Sequence, residues 1–288
     1  MPNERIVAQF TAQVERFVRS PHVNEAEPVA RFVAAVAPKE TEEALDAACG
    51  PGLLAKAFAP RLRTFTGVDL TPAMVERARR TAVEAGLANA RFETGDALAL
   101  PFPEGRFDVA ISRLAIHHIP DADAALREMA RVIRPGGRIG LFDMTTSEDA
   151  VEAAYHNEVE RLRDPSHASA LPLSELFRLI GRAGLDADRL DTMDYELDLE
   201  DWLSRAGQSP EQAQGAQERI AAALGTPRFG GKRVRRDAKG ASSSRFRSAV
   251  SMPSSCGRRV MSAGPRRRAP PRARLRSRRW LPARRAWE

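Results

Sequence analysis

Hydrophobic positions divide the chain into stretches of different rhythm. Val7, Phe10, Val14 and Phe17 recur at helical spacing and predict an amphipathic helix ending near Ser20-Pro21. From residue 43 short apolar runs alternate with longer periodic ones. Residues 44–49, 63–70, 90–94, 107–112 and 138–142 read as strands, and 53–58, 72–85 and 123–132 as helices, with Pro72 at the favoured first-turn position after Thr71. Arg134-Pro135-Gly136-Gly137 reads as a tight turn feeding the fifth strand. Leu173, Leu176, Phe177 and Ile180 predict a further helix closed by Gly184. Met193, Tyr195 and Leu197 alternate as a sixth strand should, and a last helix runs to about Leu224.

Strands alternating with helical crossovers imply right-handed βαβ units and a mostly parallel sheet covered on both faces. The expected fold is α/β and three-layered, and ligands then belong at the carboxyl ends of the strands.

Charge changes this picture at one end of the chain. Residues 226–288 hold 20 basic side chains against the two acids Asp237 and Glu288, a net of +18; the first 225 hold 25 basic against 36 acidic, a net of −11. The overall +7 is therefore the sum of an acidic body and a basic tail, which argues against a nucleic-acid-binding body. Domain organisation follows: residues 1–225 as one domain, with 1–40 as lid helices and 150–184 as a substrate-side insertion, and 226–288 as a tail. Only seven Leu, Ile, Val and Phe occur among the tail's 63 residues, so it is expected to be disordered. Two readings of it stay open: a GC-rich coding sequence read out of frame, or an Arg-rich segment that binds RNA or DNA. Cys49 and Cys256 lie too far apart for a disulfide framework or a CxxC metal site, so no metal is expected. Neither a secretion signal nor an apolar run of membrane-spanning length is apparent, and the expected location is cytoplasmic.

The densest chemical signal is Asp46-Ala47-Ala48-Cys49-Gly50-Pro51-Gly52, a strand entering a glycine turn that opens a helix. Gly50-x-Gly52-x-x-Ala55 also satisfies the dinucleotide fingerprint. Pro51, however, deletes a backbone N–H that a pyrophosphate would want, and Asp46 sets a carboxylate near where phosphate charges would lie. A ligand bearing an ammonium and a sulfonium suits Asp46 instead, and S-adenosylmethionine is such a ligand. Asp69, 17 residues after Gly52, ends the second strand where an acid can accept both ribose hydroxyls. The competing role for it, an N-cap of the next helix, falls more naturally to Thr71.

On the motifs LDAACGPG, GVDLTPAMVERAR, GDALALPFPEGRFDVAISRLAIHHIPD and RVIRPGGRIGLFD, residues 40–145 resemble the Rossmann-like class I S-adenosylmethionine-dependent methyltransferases. Within them they resemble the type 11 group that includes ubiquinone and menaquinone biosynthesis C-methyltransferases. The resemblance implies that Asp46, Gly50 and Gly52 line the methionine part of the cofactor and that Asp69 holds the ribose, with Leu70 against the adenine. It implies that Asp96 and Ala97 address the adenine edge and that Ser112 faces the methionine end. Ala48 stands where the family often has Gly, and its methyl narrows that space. Such folds end with an antiparallel strand inserted between the fifth and sixth. No alternating apolar segment after Leu224 is apparent to supply it, so the sheet is expected to lack that strand.

Transfer to an acidic nucleophile needs a proton acceptor, and the candidates near neutral pH are His22, His117, His118, His156 and His167. His117 and His118 follow the fourth strand, on the catalytic rim; adjacent imidazoles point in different directions, so at most one should face the pocket. Tyr155, His156 and the Asp164-Pro165-Ser166-His167 turn are expected on the substrate side. The function read from the sequence is methyl transfer from S-adenosylmethionine to a small-molecule acceptor. The alternatives are a nucleic-acid methyltransferase anchored by the tail, or an inactive fold that binds cofactor. Acceptor atom and oligomeric state are not legible.

Overall fold

Strand residues here alternate between two apolar layers rather than between core and solvent, which is why their runs are nearly continuous in hydrophobicity. The computed structural model describes residues 2–19, 26–198, 202, 210–223, 233–236 and 242–252. Strands β1 (Glu43–Ala47), β2 (Thr64–Asp69), β3 (Ala90–Thr94), β4 (Phe107–Arg113) and β5 (Ile133–Thr146) pair in parallel in the order β3-β2-β1-β4-β5. Along β4, Val109 and Ile111 join one apolar cluster while Ala110 joins the other. The first cluster is completed by helices α2 (Ala26–Val36), α3 (Ala55–Phe58) and α4 (Pro72–Glu84), through Phe32, Phe58 and Ala78. The second is completed by α5 (Ala122–Val132) and α7 (Leu173–Arg182), through Leu126, Met129, Leu176 and Ile180. Strand order reverses between β1 and β4, and the carboxyl ends of these two strands flank the crevice this creates.

Helix α1 (Pro2–Arg19) matches the predicted first stripe, with Val14 buried. Arg134 to Gly137 is not a turn outside the sheet. It lies within β5, Gly136 has φ +80°, and the register with β4 shifts between Phe107 and Val109, so the glycines absorb a bulge. Helix α6 (Ala150–Arg163) escaped the sequence reading because its buried positions include His156, Asn157 and Glu160, a polar inward face that a search for apolar periodicity passes over. Its loop returns through β6 (Leu171–Pro172), which pairs with the end of β5. Beyond β7 (Arg189–Asp198) and α8 (Pro210–Ala223) come β8 (Arg233–Arg236) and β9 (Ser242–Met252).

The last antiparallel strand, expected to be missing, is present. β9 runs antiparallel between β5 and β7, paired from Leu141↔Ser251 to Met144↔Ser248 on one side and from Arg189↔Met252 to Asp198↔Ser243 on the other. A strand slotted between two edges gains main-chain hydrogen bonds on both sides whatever its side chains, which is how so polar a sequence enters the sheet. The rest of the tail, residues 226–232, 237–241 and 253–288, lies outside the described residues, and the expectation of disorder falls mostly there. Val250 pairs with both Phe142 and Asp191, so Val250→Pro is expected to cost about 3 kcal/mol or more by interrupting a central ladder. Urea unfolding measures it, and an unchanged midpoint would contradict the placement of β9.

Candidate functional site

The turn after β1 reverses the chain with three left-handed residues in five: Ala48 (φ +57°), Gly50 (φ +54°) and Gly52 (φ +75°). Ala48 thus sits in a conformation that favours glycine, and its methyl costs about 1 kcal/mol. Gly52 serves packing: a Cβ there would come within 2.9 Å of the Ala78 Cβ, so α4 can approach only a glycine. Asp69 ties this turn to β2, its Oδ2 accepting the Gly50 N–H (2.8 Å) and its Oδ1 the Thr71 N–H (2.8 Å). Thr71 occupies the N-cap position of α4 without a side-chain capping bond, so Asp69 takes part in the role assigned to Thr71 from sequence.

Above the turn lies a cavity with about 1010 Å³ of empty space, counting its open mouth. Of the sequence-predicted residues, Asp46, Ala48, Gly50, Asp69, Leu70, Asp96, Ala97 and His118 line it. Gly52, Ser112 and His117 do not. The Ser112 hydroxyl instead donates to the Ala47 carbonyl (2.9 Å), binding β4 to β1, and Arg113 and Leu114 hold the cavity wall beside it. Sequence reasoning missed these two, because one step along a strand reverses the side chain's direction. Helix α1 supplies the roof through Ile6, Phe10 and Phe17. Its Asn3 Nδ2 donates to Asp96 Oδ2 (3.2 Å), and Phe10 packs edge-on against His118 at 4.9 Å.

Asp46 is the electrostatic centre of this cavity. It is 1% exposed, and neither carboxylate oxygen has a hydrogen-bond partner among the described residues. Burial, reinforced by the nearby Asp69, pushes its carboxyl well above the usual carboxylate range, against the pull of Arg113. Burial raises Asp69 too, more moderately, because the Thr71 and Gly50 N–H groups stabilise its charge.

The two histidines at the rim part company within the single turn Ile116–His118. His117 Nδ1 bonds Asp143 Oδ1, and its carbonyl accepts the N–H groups of Ala168 (2.9 Å) and Ser169 (3.0 Å), so it fastens the loop after α6 to β5. His118 lines the cavity, with Nδ1 3.1 Å from Ser166 Oγ, whose hydroxyl donates to Asp164 Oδ1 at 2.5 Å. Burial, with His117 alongside, lowers His118 to about 4. Of the other candidates, His156 Nδ1 meets Thr146 Oγ1 (2.9 Å), Tyr155 donates to the Arg219 carbonyl, and neither lines the cavity. His22 lies outside the described residues.

The signature of a methyltransferase domain family matches residues 44–137. The uncharacterised methyltransferase YcgJ of Bacillus subtilis is 39% identical over 163 residues, which span 57% of this chain and 64% of that protein. Its crystal structure aligns with 80% of this chain and 98% of its own, at 30% identity and a TM-score of 0.75. The chain belongs to the class I S-adenosylmethionine-dependent methyltransferases. A methyltransferase structure from Bacillus halodurans agrees equally well, at 27% identity, 80% and 99% coverage and a TM-score of 0.75. The 27-O-demethylrifamycin SV methyltransferase of Amycolatopsis mediterranei is 34% identical over 150 residues, 50% of this chain and 54% of that one. The cofactor of these methyltransferases fits the residues present: the buried Asp46 carboxyl has no hydrogen-bond partner among the described residues, and Leu70, Met74 and Ala97 give the same cavity an apolar wall.

A carboxyl raised by burial holds its proton more tightly folded than unfolded, so stability falls as pH rises from the usual carboxylate range through the folded value. Asp46→Asn removes this titration and is therefore expected to stabilise the ligand-free methyltransferase at neutral pH and to flatten that part of the pH dependence. Thermal unfolding checks this. His118 carries the opposite sign: its folded value lies below the ordinary 6.5, so stability is full above 6.5 and is lost as pH falls towards 4. That loss is expected to approach about 1.4 kcal/mol per pH unit and to become shallower in His118→Asn, measured as denaturation midpoints across this window.

Proposed function

We propose that this methyltransferase moves the methyl group of S-adenosylmethionine to a small-molecule acceptor. The observation that carries the reading is the buried Asp46 carboxyl, with no hydrogen-bond partner among the described residues, in the same cavity as Asp69 and His118. A cationic ligand satisfies Asp46, whereas a pyrophosphate would add charge of the same sign beside it. The rifamycin methyltransferase among the relatives carries a small-molecule acceptor in its name, which supports an acceptor of that kind here.

When bound, the cofactor supplies a methyl group on positively charged sulfur, open to in-line displacement. The chain supplies alignment, a dry cavity and a proton acceptor. In this reading Asp46 pairs with the ammonium, and Asp69 accepts the ribose hydroxyls through lone pairs that Gly50 and Thr71 leave free. Leu70 and Ala97 flank the adenine, and Asp96 accepts at its edge. Phe10 and Phe17 on α1 keep water from the reacting end. His118, neutral at physiological pH, takes the acceptor's proton.

Calorimetric titration with S-adenosylmethionine tests this. The wild type is expected to bind, and Asp69→Ala to weaken binding by about 1.5–3 kcal/mol through loss of charge-assisted hydrogen bonds. Binding of NADH in its place would overturn the reading. Removing residues 1–19 is expected to lower turnover more than cofactor affinity, measured by initial rates beside the titration. Equal loss of both would show α1 to be ordinary core rather than a roof.

A further inference from the structure

A buried imidazole takes up a proton only against the cost of charging it away from water, and a nearby anion offsets that cost. Burial, with His117 alongside, lowers His118, while Asp164, the Ser166 backbone and Asp143 pull the other way. Among the described residues, the titratable groups around His118 are His117 in the same turn, Asp143 on β5, Asp164 and His167 in the loop after α6, and Arg5 on α1 across a shared cavity. Asp143 is already committed: its Oδ1 bonds His117 Nδ1 and accepts the Met144 N–H (2.7 Å). His167 Nε2 is taken by Asn157 Oδ1 at 2.7 Å. Asp164 is the anion that a chain of hydrogen bonds joins to His118, and Ser166 is the link.

Proton counting fixes the state of this chain. Asp164 Oδ1 accepts both the Ser166 N–H (2.9 Å) and the Ser166 hydroxyl (2.5 Å), and Asp164, Ser166 and His118 are all buried. Burial raises Asp164, but His118, Arg163 and the Ser166 bonds outweigh that and keep it below its ordinary value, so it is ionised. A carboxylate only accepts, and the single Ser166 hydroxyl proton therefore goes to Asp164. Ser166 Oγ then meets His118 Nδ1, 3.1 Å away, with lone pairs alone, so Nδ1 carries the imidazole N–H. Nε2 is left bare. It has no hydrogen bond among the described residues, yet it is not one of the unpartnered atoms sealed from solvent. The ring itself lines both the cofactor cavity and a second cavity beside it, which Arg5, Pro120 and Pro165 also line.

Resting on the methyl-transfer reading, we propose that Asp164 and Ser166 are positioning residues for that reaction: they fix His118 as the Nδ1–H tautomer and supply the negative charge that balances it once protonated. As the acceptor atom bonds the methyl carbon and the carbon–sulfur bond breaks, the acceptor's proton passes to Nε2. The Nδ1 proton stays where it is, and so do the protons of Ser166. Positive charge on the ring strengthens the Nδ1–H bond to Ser166, whose oxygen Asp164 polarises. The imidazolium later gives its proton to solvent. No reorganisation is needed at the moment of transfer, because the loop is already held: the Asp164 carbonyl accepts the His167 N–H (2.9 Å), and the His117 carbonyl accepts those of Ala168 and Ser169.

Imidazole nitrogen NMR of the full chain, labelled at histidine and read without cofactor, tests this. The His118 signals, assigned by their loss in His118→Gln, are expected to show Nδ1 protonated and Nε2 bare at neutral pH. Ser166→Ala removes the acceptor at Nδ1 and is expected to shift much of His118 to the Nε2–H form, and Ser166→Thr to restore the wild-type signal. Asp164→Asn keeps the shape of the turn without its charge, and is expected to move the His118 titration below the wild-type value of about 4. The remaining histidine signals report that each variant is folded, and Ser166→Ala carries the test if Asp164→Asn unfolds. An Nε2–H tautomer in the wild type, a tautomer indifferent to Ser166→Ala, or a titration unmoved in folded Asp164→Asn would overturn the proposal. Failure of S-adenosylhomocysteine to bind would instead overturn the methyl-transfer reading; the tautomers are read on the free protein, so the two fail separately.

Discussion

A carboxyl group held out of water without a hydrogen-bond partner is expensive, and among the described residues Asp46 is such a group, at the carboxyl end of the first strand. Much of the local structure is arranged to keep it there. The left-handed turn at Ala48, Gly50 and Gly52 brings the chain back over it, and Asp69 locks that turn through the Gly50 N–H. Helix α1 then closes the cavity from above. Neither Asp46 nor Ala48 is the choice that stability alone would make: one is a buried carboxyl with no hydrogen-bond partner among the described residues, the other an alanine in a glycine conformation. Strain and an unsatisfied buried carboxyl gathered at one point of an otherwise well-packed sheet are the physical mark of a binding site.

The same economy governs the rim. One 3₁₀ turn gives adjacent histidines different tasks, because His117 is spent on Asp143 and on the backbone of the following loop while His118 is left to face the cavities. The loop that His117 anchors is the one that carries Ser166 and His167. A structural histidine thereby positions the partners of the one that faces the site.

Much of the architecture was legible in the pattern of the chain, since strands buried on both faces announce themselves as continuous apolar runs, and β3 was predicted to its observed bounds. What escaped had a physical reason each time. Helix α6 hides its inward face behind His156, Asn157 and Glu160. Strand β9 is placed by main-chain pairing; Phe246, Val250 and Met252 do fall on alternate positions, but Ser248 interrupts them and arginines surround them. The site was legible as residue types and strand ends, so that Asp46, Asp69 and Asp96 meet in one cavity. Ser112 and Gly52 show the limit: motif position says which segment reaches the site, while the side chain's direction depends on a strand's two-residue period and on a helix pressing close.

The central claim is that the buried Asp46 carboxyl is satisfied by the cationic end of the cofactor. Titration calorimetry of S-adenosylhomocysteine binding to the wild type and to Asp46→Asn at neutral pH measures this directly. Binding roughly tenfold or more weaker in Asp46→Asn is the expected result. Equal affinity in the two proteins would contradict the account.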